Sequence, residues 1–134
     1  MRQIDKIIVH CSATPAGRPV TAAQIDEWHR ARGFRMIGYH YVVGLDGSVT
    51  VGRPESEMGA HCLGENLHSI GVCYIGGLDK ESLQPADTRT PAQREALRHL
   101  IAELRLRYPG ATVHGHREFA AKACPCFDVN DGTI

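Results

Sequence analysis

The chain has 134 residues, 43% of them apolar and 22% charged, with 15 basic side chains balanced by 15 acidic ones. That composition fits one globular domain, not a disordered segment. With zero formal net charge and no Lys/Arg stripe, a nucleic-acid partner has no electrostatic footing.

No apolar run approaches the ~20 residues that a bilayer span needs, so no membrane partner is expected. The apolar stretch at Ile7, Ile8 and Val9 is too short for the core of an export signal, and the expectation is a product that is cytoplasmic as synthesised. Five cysteines (Cys11, Cys62, Cys73, Cys124 and Cys126) cannot all pair within one chain, which favours a reducing compartment. Eight histidines exceed what packing asks for and point to metal or acid–base chemistry.

Taken in order, residues 5–10 (DKIIVH) predict a buried strand ending at His10, followed by a loop broken by Pro15, Gly17 and Pro19. Thr21 with Gln24 forms a capping box, so a helix should run from Ala22 to Ala31 with Ile25, Trp28 and His29 on one face. GYHYVVGLDGSVTVGR predicts a β-hairpin turning at Asp46-Gly47. Residues 54–68 read as loop, 69–76 (SIGVCYIG) as a second buried strand, and 77–89 as a polar surface loop. Thr90, Pro91 and Gln93 start a helix that should reach about Tyr108, with Leu97, Ile101, Leu104 and Tyr108 in one core-facing stripe. Pro109-Gly110 stops it, ATVHGH predicts a short strand, and 117–134 reads as an irregular tail. The fold class is therefore α/β: one domain over 1–134, a central mixed sheet flanked by helices.

The densest concentration of chemistry is HGHREFAAKACPC at 114–126. His114, His116, Cys124 and Cys126 are all zinc-ligand types, and two histidines at i, i+2 on a strand would share a face. Spacing leaves three readings: a closed site using all four, an open site using one His, one Cys and a remote third ligand, or no metal at all. His10 stands where an apolar strand opens into a loop, a common place for site residues, although a lone histidine there is often only a packed one. Tyr39 and His40 open the first hairpin strand, where alternation would send them to opposite faces.

Taken together these segments resemble a known family. IIVHCSATP at 7–15, IDEWHRARGF at 25–34, GYHYVVGLDGSVTVGR at 38–53, GAHCLGENLHSIGVCYIGG at 59–77, TPAQ at 90–93 and HGHREFAAKACPCFD at 114–128 occur in register along nearly the whole chain. They resemble the zinc-dependent N-acetylmuramoyl-L-alanine amidases of the second type, a superfamily of small phage lysozyme-amidases and peptidoglycan recognition proteins. The resemblance implies one Zn2+ per chain held by His10, His116 and Cys124, with the fourth position left for water. It implies Tyr39 and Lys122 as catalytic helpers, and His61 and Asn66 as groove-lining, substrate-binding residues. The partner it implies is peptidoglycan, met as a monomer after release or delivery to the wall. The reaction implied is hydrolysis of the amide between N-acetylmuramic acid and L-alanine. A non-catalytic peptidoglycan-binding domain of the same fold is the alternative. At the position of Cys126, relatives often carry a hydroxyl residue.

Overall fold

A computed structural model describes residues 2–134. Five strands form one mixed sheet. β5 (Ser69–Tyr74) lies at its centre, parallel to β1 (Lys6–Cys11), which is in turn parallel to β7 (Thr112–Gly115). β3 (Tyr41–Val43) runs parallel to β5 and antiparallel to the edge strand β4 (Val49–Val51). The hairpin between them turns where expected: Gly47 has φ +85, in the left-handed region that only glycine enters freely. Within residues 77–89, expected as loop, Gly77–Leu78 forms the two-residue strand β6, which pairs with β2 (Thr14–Pro15).

Both helices begin at capping boxes, with the side chains of Thr21 and Thr90 accepting from the backbones of Gln24 and Gln93. α1 covers Ala22–Ala31 and α2 covers Pro91–Arg107. They lie on opposite faces of the sheet. Ile7, Val9, Val72, Tyr74 and Val43 pack with Leu97, Ile101 and Leu104 of α2, whereas Val42 and Ile75 pack with Ile25 of α1. Strand alternation explains the division, since Val42 and Val43 are neighbours pointing opposite ways. On α1, Ile25 and His29 are buried but Trp28 is 39% exposed, so the stripe facing the sheet is narrower than expected. On α2, Leu100 and Gln93 join the buried face, and Tyr108 ends half-buried with its hydroxyl donating to Glu55 at 2.6 Å.

The tail after β7 is irregular but pinned. Phe127 and Val129 are buried in the α2-side core, and the fully buried Arg89 guanidinium stacks over Phe127 at 3.4 Å while pairing with Asp87 at 2.9 Å. The consequence for the site lies in the parallel topology. β1, β5 and β7 all end at the same edge of the sheet, and β1 has neighbours leading to both sides. Such a switch point leaves a crevice beyond the strand ends, where site residues collect.

Candidate active site

His10 is the penultimate residue of β1, with its Cα opposite Cys73 of β5, and its side chain is 1% exposed. β7 ends at Gly115, so His116 lies in the 3-10 turn His116–Glu118. The strand expected to carry both histidines therefore stops between them, and they do not share a face. His116 turns toward His10, with ring centroids 4.6 Å apart. The half-buried His114 instead uses both ring nitrogens on the surface, bonding Glu118 at 2.9 Å and Thr112 at 2.7 Å.

Cys124 comes from the tail. Its segment is held by Arg117 N–H donating to the Cys124 carbonyl at 2.7 Å, and by the Tyr74 hydroxyl donating to the Pro125 carbonyl at 2.6 Å. The Cys124 Sγ accepts from the Cys11 N–H at 3.2 Å and lies 3.9 Å from His10 Nδ1. The ligand atoms of His10, His116 and Cys124 all fall within 4.8 Å of one another. Bonds of ~2.0–2.3 Å in tetrahedral array put neighbouring donors about 3.3–3.8 Å apart, so a modest contraction closes the three around one ion. Two imidazoles and a thiol suit zinc, and among the described residues no fourth His, Cys, Asp or Glu joins the group. Cys126, the spare thiol, lies 3.8 Å from Cys11 Sγ and 3.3 Å from the Gly77 carbonyl, so it turns toward β6.

Burial tunes the site. It pushes His10 well below the usual imidazole range, with the neighbouring His61, His116 and Lys122 adding to the effect. It lowers His116 as well, helped by the Lys122 charge, and takes His61 down to about 3. At neutral pH these rings are therefore uncharged, the state in which imidazole binds metal. Burial also drives the Tyr39 phenol well above its ordinary value, with Cys73 and Cys124 contributing, so Tyr39 keeps its proton.

Tyr39 packs against His10 at 5.1 Å and against the buried His29 at 5.3 Å. His40 lies against His61 at 5.9 Å. β3 begins only at Tyr41, so strand alternation does not govern this pair. A groove of about 590 Å³ opens over the cluster, lined by Tyr39, His61, Asn66, His116 and Lys122. Among the described residues its charged lining side chains are Arg32 and Lys122, and no carboxylate lines it. Asn66 also braces the loop, its Oδ1 accepting from the backbone N–H groups of His61 and Cys62 at 2.8 and 2.9 Å. The structure thus brings His10, His116, Cys124, Tyr39, His61, Asn66 and Lys122 to one place and leaves His114 outside.

Ser69 and Gly71, on the face of β5 that carries Cys73, also build this site. A buried serine opening an apolar strand carries no chemical signature of its own, and only the His61 ring between them joins it to His10.

Residues 1–127 match the family described as N-acetylmuramoyl-L-alanine amidase. The chain belongs to this family. It is 44% identical over 125 residues to the endolysin of Escherichia phage T7, spanning 93% of this chain and 82% of that one. It is 42% identical over 128 residues to the endolysin of Klebsiella phage KP32, spanning 96% and 84%. Among solved structures, the N-acetylmuramoyl-L-alanine amidase LysC from Clostridium intestinale superposes with a TM-score of 0.81 at 28% identity, covering 96% of this chain and 80% of LysC. Drosophila PGRP-LB, a peptidoglycan recognition protein, superposes with a TM-score of 0.78 at 25% identity, covering 98% and 87%. This amidase family thus accounts for the fold and for nearly the whole length of the chain.

Proposed function

We propose that this chain is a zinc amidase that hydrolyses the bond between N-acetylmuramic acid and L-alanine in bacterial peptidoglycan, reaching the wall after release or delivery. The observation that carries the proposal is the gathering of His10, His116 and Cys124, with His116 lining an open groove, in a chain of the amidase family. When bound there, zinc would activate a water for attack and polarise the scissile carbonyl.

The remaining chemistry belongs to the protein. His10 and His116, held neutral by burial, and Cys124, fixed by the Cys11 N–H, would supply the metal's three protein ligands. Tyr39 retains its proton, which supports its role as a hydrogen-bond donor to the oxygen that gains charge as the carbonyl is attacked. Lys122, at the groove, offers a positive charge to the same oxygen. Asn66, with its Oδ1 committed to the backbone, keeps its amide N–H groups for a substrate acceptor. A groove lined by Arg32 and Lys122 suits a stem peptide that carries carboxylates.

The test is mass spectrometry of muropeptides after digestion of purified walls, with and without chelator. Free L-alanine amino termini that appear only when zinc is present are the expected result. Bound zinc without new amines would instead make the protein a wall binder.

A further inference from the structure

From His10 a line of buried polar groups runs away from the ligand set, through His61 and Ser69. His10 Nε2 lies 2.8 Å from His61 Nδ1, His61 Nε2 lies 3.1 Å from Ser69 Oγ, and Ser69 Oγ lies 2.7 Å from the Glu65 carbonyl oxygen. His10, His61 and Ser69 are all buried.

Only one set of proton positions satisfies every member. A carbonyl oxygen accepts and never donates, so the Ser69 hydroxyl must give its hydrogen to Glu65. Ser69 Oγ can then only accept from His61, which places the His61 proton on Nε2. His61 Nδ1 becomes an acceptor, so the proton on a neutral His10 ring sits on Nε2. His10 Nδ1 is left with a bare lone pair, and that is the nitrogen facing Cys124 Sγ at 3.9 Å. The reverse order would set the lone pairs of Ser69 and Glu65 against each other at 2.7 Å in a buried place, a costly arrangement.

We infer that Ser69 and His61 are positioning residues that transmit the direction of a backbone hydrogen bond to His10 and fix its metal-binding tautomer. A second observation supports the inference independently, because the fold reserves a seat for the His61 ring. A Cβ on Gly71 would stand 2.6 Å from His61 Cγ and Cδ2, and one on Gly59 would stand 2.8 Å from His61 Cδ2. Two glycines thus leave the room this ring fills. His61, which the family resemblance would make a groove contact, turns both ring nitrogens inward and away from any ligand.

The inference rests on the reading of His10 as a ligand, and the experiment separates the two. Long-range proton–nitrogen correlation spectra of the metal-free protein with labelled histidines, at pH 7, should show both His10 and His61 protonated on Nε2. Ser69→Ala should release the His61 tautomer into a mixture and weaken zinc binding about 10- to 100-fold, the usual effect of losing an outer partner of a ligand. Ser69→Thr, which keeps the hydroxyl, should retain the wild-type tautomers. A His10 proton on Nδ1 in the wild-type protein would overturn the inference, as would a Ser69→Ala protein with unchanged tautomers and zinc affinity. If the tautomers are as stated but the wild-type protein binds no zinc, the metal reading fails and the hydrogen-bond chain stands.

Discussion

Replacing His116 and His114 separately by alanine tests the arrangement of the site directly, because the two lie two residues apart and are chemically identical. His116 belongs to the group whose ligand atoms fall within 4.8 Å of one another, while His114 spends both ring nitrogens on Thr112 and Glu118. Structural zinc contributes about 10–16 kcal/mol through four ligands, so a single ligand is worth roughly 2.5–4 kcal/mol. Losing one should therefore weaken zinc on the order of 100- to 1,000-fold. His116→Ala should lose that much, and His10→Ala as much or more, since His10 is also the ring joined to His61. His114→Ala removes only half-buried hydrogen bonds and should change zinc affinity by less than about threefold. Competition against a chromophoric chelator measures all three constants, and amine release from walls should follow the same order. Equal losses for His114→Ala and His116→Ala, or zinc retained in full by His10→Ala, would refute the reasoning.

Three further outcomes follow from the same geometry. The lowered His61, at about 3 when folded against 6.5 as the ordinary value, means the unfolded chain binds more protons between those limits, so stability is fully present above pH 6.5 and declines as pH falls toward 3. The slope is about 1.4 kcal/mol per pH unit for each such ring, and His10, His40 and His116 are lowered too. Urea unfolding of the metal-free protein should give a markedly lower midpoint at pH 5 than at pH 7, and a flat profile would contradict the neutral buried cluster. Tyr39→Phe and Lys122→Ala should each lower kcat by about 100- to 1,000-fold while zinc stays bound, since each removes a group expected to meet the developing oxyanion. Metal analysis beside steady-state rates checks this, and loss of the metal would mean a different role. Leu104→Ala empties a wholly buried position on α2 and should cost roughly 2–5 kcal/mol of stability without altering kcat of the folded protein, as read by denaturant unfolding and kinetics.

Much of the frame could be read from the sequence because it depends on near neighbours. The capping boxes at Thr21 and Thr90 mark the helix starts, and Asp46-Gly47 marks the hairpin turn. Both are contacts within a few residues, where spacing and residue type suffice. The exposure of Trp28 is not a local property, since helical periodicity gives a stripe but not its width, and the width is set by how closely the sheet approaches.

The site lay further out of reach. His10, His116 and Cys124 could be joined through the family motifs, but spacing alone left His114 and Cys126 as equal candidates. What separates His114 from His116 is the end of β7 at Gly115, which turns one ring inward and leaves the other on the surface. The return of the loop that carries His61 decides the rest, setting that ring between Ser69 and His10, a partner 51 residues away along the chain. Periodicity, caps and turns are local and are written along the chain. The direction of a buried hydrogen bond depends on which distant groups are pressed together, and that is decided only when the sheet closes.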